Sequence, residues 1–194
     1  MYFYPEVVAS LCGEVGMRAQ LATPIFDFPT VWGEGADDYI SKSLALRDEC
    51  KNLDRLSIAF GPHSPYTVAE SSLEKIALYA AELDMGVHIH LHETAVEVLS
   101  AVEATGERPV DTLRRLGLLG PRTQCVHMTS IGKQDIANLA ETGAQVVHCP
   151  QSNMKLASGT CPVRELHAAG INVGLGTDGA ASNNDLNLFN EMNT

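Results

Sequence analysis

The sequence predicts an α/β fold in which βα units repeat around a parallel sheet. Short apolar, β-branched runs alternate with longer segments of helical periodicity. Several of the short runs, Val146-Val147 among them, are apolar at consecutive positions, as strands covered on both faces require. Lastly, His63, Glu93, His127, His148 and Asp178 each fall at or just beyond the C-terminal end of a predicted strand. In a barrel of βα units that face carries the active site.

The elements follow in order. Pro5 to Val15 reads as an amphipathic helix that Gly16 ends. Arg18 to Ala22 is the first strand, and a loop rich in Pro, Gly and Asp leads to a helix over Asp38 to Lys51. Leu56 to Phe60 is a strand, followed by the loop Gly61-Pro62-His63-Ser64-Pro65. Val68 to Leu83 is a helix with Ser71 or Ser72 available as a cap and Glu74 in its first turn. After the strand Gly86 to Leu91 come helices over Thr94 to Ala104 and Val110 to Leu116. Gln124 to His127 is a strand, Ile131 to Thr142 a helix, and Ala144 to His148 a strand. Cys161 to Ala169 is helical and Ile171 to Leu175 is the last strand. On this pattern alone an open doubly wound sheet and a closed (β/α)8 barrel both remain, although no G-x-G-x-x-G follows any strand.

Composition narrows the function. The chain has 194 residues, with 13 basic and 24 acidic side chains and a formal charge of −11. So acidic a chain lacks the footprint for nucleic-acid backbone and is repelled by anionic lipid. No run approaches the roughly 20 apolar residues of a membrane span, and the opening Met1-Tyr2-Phe3-Tyr4-Pro5-Glu6, without a basic n-region and apolar stretch, is not expected to be a signal peptide. A cytoplasmic protein is expected. The five cysteines (Cys12, Cys50, Cys125, Cys149, Cys161) are scattered without a C-x-x-C pair, so buried free thiols are expected rather than disulfides or a thiolate zinc site.

The strand ends carry the chemistry. In Val87-His88-Ile89-His90-Leu91-His92-Glu93, a period of 2 puts the three histidines on one face and the aliphatic residues on the other. Burying several unpaired imidazoles is costly, so a ligand or catalytic role is preferred to three core histidines. Gln124-Cys125-Val126-His127 and Val146-Val147-His148 repeat the arrangement of apolar strand then His, and Gly176-Thr177-Asp178-Gly179 ends the last strand in a carboxylate between glycines. A mixed His and carboxylate site with an open position suits zinc or iron activating water.

Five segments occur in order: Gly61-Pro62-His63-Ser64-Pro65-Tyr66-Thr67, His90-Leu91-His92-Glu93-Thr94, Val126-His127-Met128-Thr129, His148-Cys149-Pro150-Gln151-Ser152-Asn153 and Gly176-Thr177-Asp178-Gly179-Ala180-Ala181-Ser182-Asn183-Asn184. As a set they resemble the amidohydrolase superfamily, and within it the 5′-methylthioadenosine/S-adenosylhomocysteine deaminases. The resemblance implies a TIM-type (β/α)8 barrel, present here as about six βα units. It implies one divalent metal ion, zinc first with iron or manganese as alternatives, held by His90 and Asp178. Glu93 would protonate the ring nitrogen beside the attacked carbon, and His127 would hold and polarise the attacking hydroxide. His63 would hydrogen-bond the substrate, and Asp178 would also take the proton of the attacking water. Glu93 and Asp178 would thus be both catalytic and substrate-binding. For His148, Ser152 and Asn153 the implied roles are site-lining or loop-bracing, and His88 and His92 receive none.

The implied reaction is hydrolytic deamination of the adenine ring, with a small nucleoside as the partner, no nucleic acid or membrane, and self-association left open. The rivals are a guanine deaminase or triazine-type hydrolase on the same scaffold, and a chain without catalytic activity by itself. The family carries an H-x-H pair on its first strand, but His63 is the first histidine in this sequence, and a (β/α)8 barrel takes about 250 residues. The expectation is therefore a partial catalytic barrel domain over 1–194.

Overall fold

The structure is a computed structural model that describes residues 3–194; Met1 and Tyr2 of the opening segment lie outside the described residues. Its strands are β1 (Ala19–Ile25), β2 (Leu56–Pro62), β3 (Gly86–Leu91), β4 (Thr123–His127), β5 (Gln145–His148) and β6 (Val173–Leu175). They are hydrogen-bonded in sequence order, β1-β2-β3-β4-β5-β6, and the registered pairs are parallel. A doubly wound sheet needs a point at which strand order reverses. Here the order never reverses, which is the winding of a (β/α)8 barrel and not of a doubly wound sheet, with six of its βα units present.

Two compact units divide the chain, Met1–Ile89 and His90–Thr194. The first contains helices α1 (Pro5–Val15), α2 (Ala36–Cys50) and α3 (Glu70–Leu83). Gly16 ends α1 in the left-handed region at φ 69°, as expected. β1 runs three residues past the expected end at Ala22, pairing as far as Ile25 with Pro62. Pro24 reads as a breaker, yet it keeps its place in the strand opposite Gly61. Ile25, Tyr39, Phe60, Leu73 and Ile76 are buried in this unit.

Its buried polar groups are paired. Ser43 Oγ donates to the Tyr39 carbonyl at 2.7 Å and lies 2.6 Å from Thr23 Oγ1. The cap of α3 differs from expectation, since neither Ser71 nor Ser72 is the N-cap. Ala69 takes that position, and the distant Asp27 carboxylate accepts from the Ala69 N–H and, at 2.8 Å, from Ser72 Oγ. The loop before α2 wraps the Tyr39 ring: Trp32 stacks on it at 5.8 Å, and the Tyr39 hydroxyl donates to the Gly33 carbonyl at 2.8 Å.

The second unit contains α4 (Ala95–Thr105), α5 (Pro109–Arg115), α6 (Lys133–Thr142), α7 (Pro150–Lys155), α8 (Val163–Ala168) and α9 (Leu188–Glu191). The sequence reading contains neither α7 nor α9, because six and four residues are too few to display a 3.6-residue period. β4 and β5 pair from Gln124 with Gln145 to Val126 with Val147, so His127 and His148 end neighbouring strands at the same level. Among the described residues, no helix is long and apolar enough to cross a membrane. All five cysteines are free and buried, and burial pushes the Cys125 thiol up to about 12.

Along β3, Val87, Ile89 and Leu91 are buried while His88 and His90 are part-exposed, so the expected alternation holds to that point. It fails at His92. There φ is 51°, outside strand geometry, and the side chain is buried away from the shared histidine face. Its Nδ1 lies 3.0 Å from the Ser130 carbonyl, to which it donates, and its Nε2 accepts from the Val110 N–H at 3.1 Å. Both ring nitrogens are thereby engaged. Burial, opposed by the nearby Asp135 carboxylate, pushes the imidazole down to about 4, so His92 is a neutral brace and not a ligand.

Two expected outcomes follow from this packing. A Cβ on Gly33 would sit 2.4 Å from the Tyr39 ring, so Gly33→Ala should lower stability by about 1–3 kcal/mol in urea unfolding. Unchanged stability would mean that the loop does not grip the ring. For His92, the unfolded imidazole titrates near 6.5 and the folded one near 4. Between those values the unfolded chain binds more protons. The His92 contribution is therefore complete above pH 6.5 and is lost as pH falls towards 4, on the order of 2–3 kcal/mol. Unfolding measured across that window should show the slope, and His92→Gln should flatten it; an equal slope in the variant would assign the effect elsewhere.

Candidate metal centre

Three strand ends of the second unit deliver His90, His127 and Asp178 to one place. His90 is the penultimate residue of β3, where the strand period directs it away from the buried Ile89 and Leu91. His127 closes β4 at φ 78°, is 1 % exposed, and stacks on the His90 ring with centroids 5.3 Å apart. Asp178 follows β6 at φ 59°. Left-handed backbone at non-glycine residues costs energy and clusters at functional sites. One ligand atom from each of the three residues lies within 4.8 Å of the others. Two imidazoles and a carboxylate form a donor set that zinc accepts.

Glu93 stands beside this group. Its Oε2 is 3.8 Å from His127 Nε2, and Asp178 Oδ2 is 3.9 Å from the same nitrogen. Ser158 Oγ donates to Glu93 Oε1 at 3.3 Å. Asp178 is held more tightly: Ser152 Oγ at 2.7 Å and Ser182 Oγ at 2.9 Å donate to Oδ2, and the Gly179 N–H donates to Oδ1 at 2.7 Å. Burial alone would raise the Asp178 carboxyl, but these donors outweigh it and hold the group below the usual carboxylate range. Gly176 is needed for close approach, since a Cβ there would sit 2.8 Å from Val147 Cγ1 and 3.1 Å from Cys149 Sγ.

Of the residues singled out from sequence, His90, Glu93, His127 and Asp178 come together. His148 is half-buried, with Nδ1 3.4 Å from Asn153 Nδ2, and burial lowers its pKa. His63 belongs to the first unit, just after β2. There its Nδ1 is 3.0 Å from Thr67 Oγ1, and its ring lies 5.0 Å from that of Phe26.

Other contributors escaped the sequence reading. Glu97 accepts from the N–H groups of His92 at 3.0 Å and Glu93 at 2.7 Å, and fixes the turn that presents Glu93. Its burial raises the carboxyl pKa. The signal was present: Thr94-Ala95-Val96-Glu97 is a capping-box pattern, and Thr94 Oγ1 accepts from the Glu97 N–H at 3.1 Å. Glu191, 2 % exposed, accepts from Asn183 Nδ2 at 2.6 Å and the Gln151 N–H at 3.0 Å. It ties α7 to the loop after β6, and nothing in its sequence neighbourhood marks it.

A model of the amidohydrolase family matches residues 2–194. The 5-methylthioadenosine/S-adenosylhomocysteine deaminase of Saccharophagus degradans is 57 % identical over 194 residues, which is 100 % of this chain and 44 % of that protein. The 5′-deoxyadenosine deaminase of Methanothermobacter thermautotrophicus is 42 % identical over 196 residues, covering 100 % of this chain and 45 % of that one. Among solved structures, an adenosine deaminase from Xanthomonas campestris with bound zinc superposes with a TM-score of 0.95 at 46 % identity, over 98 % of this chain and 44 % of that one. The chain spans less than half the length of these relatives. With parallel strands wound in sequence order, a His, His and Asp cluster at their C-terminal ends and a family match across the described residues, the chain belongs to the amidohydrolase family.

Proposed function

We propose that this chain is part of a metal-dependent aminohydrolase that deaminates the adenine ring of 5′-methylthioadenosine and S-adenosylhomocysteine. The observation that carries the proposal is the convergence of His90, His127 and Asp178 within 4.8 Å, with the Glu93 carboxylate 3.8 Å from His127. The names of the relatives support the substrate class. We read 1–194 as a portion of one catalytic barrel domain. The buried free cysteines fit a reducing, cytoplasmic setting.

The donor set fits a single divalent ion, zinc first, with His90 and Asp178 as its ligands and His127 within reach. When bound, the ion supplies a Lewis acid that acidifies water towards neutral pH. The chain's own groups do the rest. His127 presents Nε2 to the attacking water and orients it. Asp178, kept ionised by three donors, takes a proton from that water. Glu93 delivers a proton to the ring nitrogen beside C6 as the water oxygen bonds to that carbon, which becomes tetrahedral. The C–N bond to the amino group then breaks: the amino nitrogen leaves as ammonia with the proton that Asp178 took, the ring nitrogen keeps the Glu93 proton, and the remaining proton of the oxygen returns to Glu93, giving the inosine-type product. His63 is assigned to hydrogen-bonding of the nucleoside.

The test is turnover by the full-length enzyme containing this segment, assayed on methylthioadenosine, S-adenosylhomocysteine, adenosine and guanine. Turnover of the adenosine thioethers is expected. Turnover of guanine without them would overturn the assignment. Glu93→Gln should cut kcat by at least about 100-fold with zinc still stoichiometric by elemental analysis, whereas loss of zinc would make Glu93 a ligand. The isolated chain should bind zinc weakly and turn over little substrate.

A further inference from the structure

Asn153 has so far appeared only as a brace, but its contacts set a chemical state. It lies on α7, is 1 % exposed, and its backbone is fixed at both ends: its N–H donates to the Cys149 carbonyl and its carbonyl accepts from the Ser158 N–H, both at 2.9 Å. The side chain spans two imidazoles. Its Oδ1 is 2.8 Å from His127 Nδ1, and its Nδ2 is 3.4 Å from His148 Nδ1.

An amide has distinct ends, since the oxygen only accepts and the nitrogen only donates. Facing Oδ1, His127 Nδ1 must carry the hydrogen. A neutral imidazole has one N–H, so Nε2 is left with a lone pair. Nε2 is the atom that lies 3.8 Å from Glu93 and 3.9 Å from Asp178. His148 is driven to the opposite state, since its Nδ1 must accept from the amide nitrogen and its Nε2 then carries the hydrogen.

We propose that Asn153 is a positioning residue that locks His127 in the Nδ1–H tautomer and so keeps the Nε2 lone pair turned towards Glu93 and Asp178. Without this acceptor, His127 can place its hydrogen on Nε2, beside the two carboxylates that accept it. A lone pair for water or a metal is then lost, although the ring has not moved. The proposal rests on the reading of His127 given under the proposed function, but its structural half can be tested without turnover.

The experiment compares Asn153→Leu, which removes the acceptor at similar volume, with Asn153→Asp, which keeps an acceptor facing His127. Long-range proton–nitrogen NMR of the histidine-labelled full-length enzyme reads the tautomer directly. Wild type and N153D should show His127 as Nδ1–H, and N153L should show Nε2–H or a mixture. In the full-length enzyme, N153L should lower kcat by about 10–100-fold with KM little changed, the usual cost of losing such an outer partner, and N153D should recover at least tenfold of that loss. An Nε2–H signal in wild type, an unchanged tautomer in N153L, or an equal loss of kcat in both variants would overturn the proposal. If wild type turned over no adenine nucleoside while N153L still switched the tautomer, the functional reading would fall and the positioning role would stand.

Discussion

Two carboxylates converge on one imidazole nitrogen, and the second unit is organised around that constraint. Glu93 and Asp178 stand 3.8 and 3.9 Å from His127 Nε2, and both are partly buried. Partly buried carboxylates near one another are unfavourable unless donors or a cation compensate them. The protein answers with donors: two serine hydroxyls and a backbone N–H on Asp178, and a serine hydroxyl on Glu93. The formal charge of two carboxylates is also what a divalent ion bound at this cluster would balance.

The same constraint explains the backbone. A strand of ordinary twist sends successive side chains to opposite faces, and its last residues would not aim inward together. Left-handed φ values at His92, His127, Met128 and Asp178 break the alternation where the strands end. The breaks at His92 and Met128 are tied to each other by backbone bonds. The Leu91 carbonyl accepts from the Met128 N–H at 3.2 Å, and the His92 carbonyl accepts from the N–H groups of Thr129 and Ser130 at 3.0 Å. Local strain at the site is thus held by contacts from neighbouring segments, as strained functional residues require.

This division also decides what was legible in the sequence. The positions of His90, His127 and Asp178 could be read, because each lies at the end of an apolar run and polar residues are conspicuous there. His92 departs from the expected face because a period of 2 presumes extended backbone, and the turn at His92 is held by Met128, Thr129 and Ser130, which follow β4 far along the chain. α7 escaped because six residues show no period, although Pro150 at its first position was a usable sign. The resemblance marked Ser152 only as site-lining or loop-bracing, and which carboxylate each donor serves could not be read. Ser152 reaches Asp178 across 26 positions and Ser158 reaches Glu93 across 65, and no local pattern encodes such a pair.

His92 and His127 show how the fold assigns opposite uses to one residue type. Both sit at strand ends, both are buried, and both have positive φ. Each is met by a short helix that opens with proline, α5 at Pro109 and α7 at Pro150. α5 offers His92 a backbone N–H of its first turn, a donor that has no partner within the helix. That donor takes the Nε2 lone pair, Ser130 takes the Nδ1 hydrogen, and the ring has nothing left to offer a ligand. α7 offers His127 a side-chain oxygen instead, which takes the Nδ1 hydrogen and leaves Nε2 facing the carboxylates. Whether the Nε2 lone pair of a buried histidine is consumed or left open is therefore set by which atom the helix presents, an N–H or a C=O.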